Sequence, residues 1–196
     1  MPLELLTFRF LALVFLKANS SKEFAVDSFP ISSCEKMRID RRKLFKKEEF
    51  IGYAPSKRKY FCGVKVHMLV TGEGKPIEFS IQPASKNDLS ILWKMELNLP
   101  QGSVVYADGA YNSYLLEDLL AEDSGITLLA KRKQKNSKRQ RSEEKEKQIS
   151  SKRQIIETAF STIVRYLPKS MRPRTEKGFL LRVLSALLAY SFYCLG

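Results

Sequence analysis

Two short apolar runs in this chain each end at an aspartate. Residues 24–26 (Phe-Ala-Val) directly precede Asp27, and residues 104–107 (Val-Val-Tyr-Ala) directly precede Asp108. Runs of this length and composition predict buried strands. In an open α/β sheet, ligands bind at the carboxyl ends of the strands. The pattern therefore predicts a sheet that carries two acids at one edge.

A third acid, Glu157, lies in a stretch with helical periodicity. Apolar residues recur there at i, i+1, i+4 and i+5 from Ile155 to Val164, and Arg153 precedes Glu157 by one turn. Buried carboxylates that lie close together are costly unless cations neutralise them. Pairs of Mg²⁺ ions do this in enzymes that cleave phosphodiesters. The three acids Asp27, Asp108 and Glu157 are therefore candidate metal ligands.

Each acid taken alone also has a plainer explanation. Asp27 or Asp108 could cap a following turn, and Glu157 could pair with Arg153 one helical turn away. The metal-site interpretation depends on all three acids occurring in this order and context.

The other elements predict a mixed α/β fold. The first strand is expected at residues 23–31, turning at Pro30. Residues 60–70 and 76–81 predict a β-hairpin around the glycines of residues 71–75. Helices are expected from about residue 88 to 97, with Asn87 or Asp88 as cap, and over 114–122, with Asn112 or Ser113 as cap. Further strands are expected at 103–108 and 126–130, and a C-terminal helix is expected from residue 179. Together these elements predict an antiparallel hairpin beside parallel strands.

Charge points to a polyanionic partner. The 196 residues suffice for one buried core, and the formal net charge is +13. Most of the excess lies at 131–153, which holds eleven Lys or Arg and three Glu. This run is predicted to be a flexible basic segment that contacts phosphates. Residues 35–59 are also basic and predict a partly ordered surface connection. The candidate DNA-binding residues are Arg153, Lys131, Arg132, Lys133, Lys57 and Arg58.

Other residue types narrow the chemistry. The three cysteines are far apart and indicate reduced intracellular thiols, and the single histidine, His67, makes a histidine-based metal site poorly supported. Oxygen ligands favour Mg²⁺ or Mn²⁺. The apolar segment at 11–16 lacks the cleavage site of a signal peptide, and the run at 179–195 predicts a buried helix, so we expect a cytoplasmic protein without a membrane span. A packing or DNA-adjacent role is expected for His67, and packing roles for Trp93, Tyr111 and Tyr114.

Several longer motifs occur in one order along the chain. They are Val26-Asp-Ser-Phe-Pro-Ile31, Ser56-Lys-Arg-Lys-Tyr60, Gly63-Val-Lys-Val-His67, Tyr106-Ala-Asp-Gly-Ala-Tyr-Asn112 and Arg153-x-x-x-Glu157. Over roughly residues 20–196, this set resembles bacterial insertion-sequence transposases of the DDE class.

The resemblance implies a ribonuclease-H-like catalytic domain at 20–196, with residues 1–19 as the remnant of an N-terminal helical region. Asp27, Asp108 and Glu157 match the three acids that bind two Mg²⁺ or Mn²⁺ ions, and Arg153 would contact phosphate near the cleaved bond. Double-stranded DNA, both terminal inverted repeats and target, is the implied partner, and a homodimer is the implied assembly.

Two positions depart from the family pattern. Members usually have a basic residue after the second acid, where this chain has Gly109, and often a tyrosine where it has Ser150. The implied activity is metal-dependent strand cleavage and strand transfer. The alternative is a catalytically inactive DNA-binding remnant of a transposase.

Overall fold

We describe a computed structural model of the chain, which covers residues 3–35, 39–54, 58–95, 97–132, 137–168 and 173–196. Within these ranges the chain forms five α-helices and six strands. In chain order they are α1 (Leu3–Ala18), β1 (Glu23–Glu35), β2 (Ile51–Ala54), β3 (Lys59–Thr71), β4 (Pro76–Pro83), α2 (Asp88–Leu92), β5 (Val104–Ala107), α3 (Tyr114–Ser124), β6 (Thr127–Ala130), α4 (Glu143–Tyr166) and α5 (Glu176–Tyr193).

The described strands form one mixed sheet. Its order is β2-β3-β1-β5-β6, and β4 pairs with β3 beside β2. The β1–β3, β2–β3 and β3–β4 pairs are antiparallel, whereas the β1–β5 and β5–β6 pairs are parallel. The predicted hairpin beside parallel strands is therefore confirmed. The alternation of apolar side chains along β1 and β3 supplies a core on each face of the sheet.

Strand β1 is longer than its sequence pattern indicated. It continues to Glu35, and Pro30 lies within it, paired with Lys65 of β3. The predicted turn at Pro30 is thus wrong. Proline is tolerated here because the pairing of β1 with β5 stops at Val26, so beyond that point β1 pairs only with β3. A bulge follows at Ser32–Cys34, opposite Gly63.

Gly63 is required by the close approach of two strands. A Cβ atom at this position would lie 2.2 Å from the carbonyl oxygen of Ile31. No side chain can be accommodated at that distance, so this glycine lets β3 run against β1 at the bulge.

Helices cover both faces of the sheet. Buried residues of α4 and α5, among them Ile156 and Phe179, form one core with the inward side chains of β1 and β3. On the opposite face, Leu11 and Phe15 of α1 pack with Leu116 of α3 and with the side chains of β5 and β6. The sheet is thus enclosed between two layers, which confirms the predicted mixed α/β class.

The helix caps follow their sequence signals. The side chains of Asn87 and Ser113 accept hydrogen bonds from the backbone N–H groups of Leu89 and Leu116. Helix α2, however, ends at Leu92 and not near residue 97. Gly125 caps the C-terminus of α3, and its φ of 63° is the left-handed conformation that suits glycine.

Half of the basic segment is helical. Helix α4 begins at Glu143, so residues 143–153 are not a loop. Ser142 caps the helix by accepting a hydrogen bond from the N–H of Lys145, and three glutamates in the first turn complement the positive end of the helix dipole. Charge dominates this stretch, and the cap signal within it was not recognised from the sequence.

The connection between β1 and β3 is also more ordered than its composition predicted. It contains the strand β2 and a short 3₁₀ helix, Glu48–Phe50. Phe45 is buried there against Phe179 of α5, with ring centroids 5.1 Å apart. Its N–H donates to the carboxylate of Glu176, over 2.7 Å. Contacts distant in sequence therefore order a segment that has no clear periodicity of its own.

Neither apolar segment forms a span. Over the ranges given above, every helix is too short or too polar to cross a bilayer.

Phe179 offers a direct test of the α5 core. We expect Phe179→Ala to lower the free energy of unfolding by about 3–5 kcal/mol, because it removes a fully buried ring and leaves a cavity. Leu181→Ala on the same helix, at a side chain that is 46% exposed, should change it by less than about 0.5 kcal/mol. Urea unfolding measures both. Equal losses in the two variants would contradict the described packing of α5.

Candidate active site

Asp27 and Asp108 lie side by side on neighbouring parallel strands. The register of β1 with β5 pairs Val26 with Ala107, and the two aspartates are the next residues on their strands. Asp108 directly follows the end of β5, as predicted. Asp27 does not end β1 as the sequence pattern indicated, because the strand continues on β3. The two acids meet where the parallel pairing stops.

The guanidinium group of Arg153 bridges these two carboxylates. Its Nη2 is 2.5 Å from Oδ2 of Asp27, and its Nη1 is 3.1 Å from Oδ1 of Asp108. Arg153 is buried on the inward face of α4, between Ile149 and Ile156. One cation thus contacts two acids that come from distant parts of the chain, which reduces the electrostatic cost of bringing them together.

A second ion pair aligns the same part of α4 with β1. Nζ of Lys152 lies 2.6 Å from Oε2 of Glu23, and the hydroxyl of Tyr106 donates to the other oxygen of Glu23 over 3.0 Å. The hydrogen bond from Lys152 lowers the pKa of Glu23. Glu23 and Asp27 are four residues apart on β1 and therefore on the same face of the strand. Consecutive residues of α4 therefore contact one face of β1.

Asp27 remains incompletely compensated. Burial raises the pKa of its carboxyl group, and the negative charge of Asp108 adds to that rise. Arg153 and the N–H of Ser28, which donates to Oδ1 over 2.8 Å, act in the opposite direction but do not cancel it. A buried carboxylate in this condition favours additional positive charge beside it.

Glu157 lies one turn beyond Arg153 on α4, and its side chain is exposed. The Nη atoms of Arg153 point to Asp27 and Asp108, so the alternative in which Glu157 pairs with Arg153 is not what the structure shows. In the described part of the chain, no three acidic, histidine or cysteine side chains converge closely enough to hold a metal ion. The structure therefore brings together Asp27 and Asp108, whereas Glu157 lies on the turn of α4 that follows Arg153.

The acids present have the chemistry of a magnesium or manganese site. Two carboxylates on adjacent strands offer oxygen ligands of the kind that hard cations take, and a cation beside Asp27 would offset the burial that raises its pKa. Asp108, whose side chain is 46% exposed, gives access from solvent. The carboxylates of Asp27 and Asp108 therefore fit a divalent cation. Glu157 lies on α4, one turn beyond Arg153.

Beside Asp108 lies a cleft of about 640 Å³. It is lined by Asp108, Gly109, Ala110, Asn112, Tyr114, Lys131, Arg132 and Ser137. The guanidinium groups of Arg132 and Arg139 each lie 5.0 Å from the centre of the Tyr114 ring. Exposed Lys131, which directly follows β6, stands at the cleft with its side chain accessible to a phosphate.

Arg132 belongs to a buried network of ion pairs and hydrogen bonds. It forms an ion pair with Glu117 of α3, and its backbone N–H donates to Glu146 of α4 over 3.1 Å. Arg141 approaches Glu117 and Glu146 at 3.6 and 3.7 Å. Burial raises the pKa of Glu117. This network fastens the basic segment to two helices, so the structure places Arg132 in packing as well as at the cleft.

The other predicted DNA-binding residues fall in different places. Arg58 is exposed directly before β3, with a positive φ of 48°. Lys57 and Lys133 lie outside the described residues. The sequence does not indicate the Glu117–Arg132 pair or the buried surroundings of His67, because the partners are far apart along the chain and no spacing rule connects them.

Comparison with known proteins gives the class of this domain. Residues 17–168 match the family described as "Transposase DDE domain". A solved structure of piggyBac transposase in a synaptic complex with hairpin DNA superposes with a TM-score of 0.50 at 13% sequence identity, over 87% of this chain and 45% of that one. Curated protein sequences yield no significant match.

The chain therefore belongs to the DDE transposase domain family. It spans less than half the length of the piggyBac chain, with which it shares the fold.

The state of Asp27 can be tested by pH. Its folded-state pKa is raised, so the folded protein keeps the Asp27 proton to higher pH than the unfolded chain, and wild-type stability falls as the pH rises through that raised value. Asp27→Asn has no such charge. We expect its stability relative to wild type to increase as the pH rises above about 4, the ordinary pKa of an aspartate, in urea unfolding with chelator present.

Asp123→Asn, at an exposed position of α3, controls for the substitution itself. An Asp27→Asn protein that became progressively less stable than wild type with rising pH would show that the Arg153 pairing outweighs burial.

The role of Arg132 can be separated from that of a surface cation. We expect Arg132→Ala to lower the free energy of unfolding by about 3–5 kcal/mol, since it removes the closer of the two cations beside buried Glu117 and leaves only Arg141 at 3.6 Å. Arg139→Ala, which breaks the exposed pair with Asp118, should have little effect on stability. If Arg132→Ala instead retains full stability and only weakens DNA binding, its ion pair is not structural.

Proposed function

We propose that this protein is a metal-dependent DNA transposase that cleaves strands at the ends of an insertion sequence and transfers them to target DNA. The observation that carries the proposal is the juxtaposition of Asp27 and Asp108 around Arg153, in a chain of the DDE transposase domain family. The catalytic domain would comprise residues 20–196. The formal charge of +13 supports double-stranded DNA as the partner.

Asp27 and Asp108 would hold the metal ions, with Glu157 as the third ligand from α4. Two Mg²⁺ or Mn²⁺ ions, when bound, supply activation of the attacking water or 3′-hydroxyl and stabilisation of the leaving 3′-oxygen. The protein's part is to fix the ligand positions. Arg153 would stay close to both acids and contact a phosphate near the cleaved bond.

The cleft beside Asp108 supports the direction from which DNA would approach. Asp108 is half exposed, and Lys131 and Asn112 offer hydrogen-bond donors around it. A phosphate at Lys131 would place the neighbouring phosphodiester close to the two acids. Because an element has two ends, we propose a homodimer as the acting form, working in the cytoplasm.

An inactive DNA-binding remnant is the second candidate. The exposed position of Glu157, apart from the Asp27–Asp108 pair, is the observation that favours it. Departures from the family pattern at Gly109 and Ser150 add to it. Both candidates bind DNA, so only a cleavage assay separates them.

The decisive experiment is cleavage of a duplex that carries the element's terminal inverted repeat, with Mg²⁺ or Mn²⁺. We expect metal-dependent cutting by the wild-type protein. Each of Asp27→Asn, Asp108→Asn and Glu157→Gln should lower the rate by roughly 10²-fold or more, because several kcal/mol of transition-state stabilisation are lost.

Glu144→Gln, another exposed glutamate of α4, is the matched control for Glu157→Gln and should cut normally. Normal cutting by any of the three variants removes that acid from the site. A wild-type protein that binds the duplex tightly but never cuts it establishes the remnant.

A further inference from the structure

A buried polar network lies on the face of the sheet opposite α4. It consists of His67 on β3, Gln82 on β4 and Tyr111, which ends the 3₁₀ helix that follows Asp108. His67 and Tyr111 have no exposed surface, and Gln82 is 5% exposed. Tyr111 packs in the core formed with α1 and α3. Polar groups buried this deeply require hydrogen-bond partners, and here they find one another.

Each hydrogen bond of this network has a defined donor and acceptor. The side-chain amide of Gln82 donates to Nε2 of His67 over 2.6 Å, and Nδ1 of His67 is 2.9 Å from the hydroxyl oxygen of Tyr111. Burial lowers the pKa of His67 to about 4, so the ring is neutral. With Nε2 accepting, the single ring proton is on Nδ1 and is donated to Tyr111.

Charged groups near this imidazole do not replace Gln82 as its partner. Oδ1 of Asp88 is 3.8 Å from Nε2, beyond hydrogen-bond distance, and its charge is matched by Nζ of Lys65 at 2.9 Å. Gln82 therefore fixes the tautomer of His67.

Tyr111 connects this network to both acids. Its backbone N–H donates to the carbonyl oxygen of Asp108 over 3.0 Å. Its hydroxyl has the Ser28 side chain as a second hydrogen-bonding neighbour. Ser28 follows Asp27 and holds Oδ1 of Asp27 through its N–H, and it is paired with His67 across the β1–β3 ladder.

The Asp108 side chain is held by Arg153 of α4, at 3.1 Å, and not by its own segment. It follows a strand of four residues, is half exposed, and makes no capping hydrogen bond to the 3₁₀ helix that it precedes. Tyr111, three residues later, is fully buried. The buried phenol therefore gives this segment a fixed point that is separate from the ion pair of the carboxylate with Arg153.

We propose that Tyr111 and His67 are positioning residues that fix the segment bearing Asp108 against β1 and so set the separation of the two acids for metal binding. The consequence for metal rests on the proposed function. The hydrogen-bond chain from Gln82 through His67 to Tyr111 is the means, and it acts through the sheet because Asp27 and Ser28 project from opposite faces of β1.

The first test uses Tyr111→Phe, which removes only the hydroxyl. We expect its Mn²⁺ affinity, measured by calorimetry on the full chain without DNA, to fall about 10-fold, as is typical when a group that orients a ligand is lost. Tyr190→Phe is the matched control. It removes a buried hydroxyl that donates to the carbonyl of Gly74 over 2.8 Å. This hydroxyl belongs to the core on the other face of the sheet from Tyr111.

The control should lose comparable stability and keep wild-type Mn²⁺ affinity. A role confined to packing would affect the melting temperatures of both variants and the metal affinity of neither.

The second test exploits the fact that His67 is the only histidine of the chain. In ¹⁵N-histidine-labelled protein, we expect the imidazole nitrogens to report a neutral ring protonated at Nδ1. In Tyr111→Phe the Nδ1 proton should exchange faster with solvent, because it has lost its acceptor. A ring protonated at Nε2 would overturn the hydrogen-bond chain.

The outcomes separate the two proposals. If wild type binds Mn²⁺ and Tyr111→Phe binds it equally well, the positioning role is wrong and the proposed function stands. If wild type binds no Mn²⁺, the proposed function fails and the positioning role fails with it. If Tyr111→Phe binds Mn²⁺ more weakly than wild type while Tyr190→Phe does not, and if His67 is protonated at Nδ1, both proposals are supported.

Discussion

The bridge from Arg153 to Asp27 and Asp108 is the interaction on which the arrangement of this domain depends. Two carboxylates at adjacent positions of a sheet repel each other, and the one that is more buried is not fully compensated even with the guanidinium in place. Arg153 lies on α4, more than forty residues beyond Asp108 in the chain. The bridge therefore couples the position of α4 to the electrostatics of the sheet.

Each acid is fixed from both faces of the sheet. On the α4 face, Arg153 contacts the carboxylates directly. On the opposite face, Tyr111 and Ser28 hold the backbone that carries them. The α4 face of the sheet, on which Arg153 contacts the two acids, is partly open to solvent at Asp108, whereas the opposite face is closed. A site built in this way can admit a ligand from one side without loosening its own framework.

The local features of the fold were predictable from the sequence, and the long-range ones were not. Apolar runs marked β1, β5 and β6, and cap residues marked the starts of α2 and α3, because these signals act over a few residues. The length of β1 depended instead on pairing with β3, which suppressed the expected turn at Pro30. The burial of Phe45 depended on α5, which lies far away in sequence.

The site shows the same division. Asp27 and Asp108 were predicted to lie together because strand pattern and sheet geometry suffice for that inference, and the structure places them so. The partners of Arg153 were not predicted, since its nearest acid in sequence is Glu157. Arg132 was expected to meet DNA as part of a basic run, yet a glutamate from α3 pairs with it inside the protein.

The buried network around Arg132 changes how the charge of this protein should be counted. Arg132, Arg139, Arg141, Lys152 and Arg153 all belong to the basic segment, and all are paired with acids of the protein itself. Counterion release on DNA depends on cations that are free to replace sodium or potassium at phosphates. The number of such cations in this segment is therefore well below its formal count, and under the proposed function the lysines outside these pairs would dominate the salt sensitivity of DNA binding.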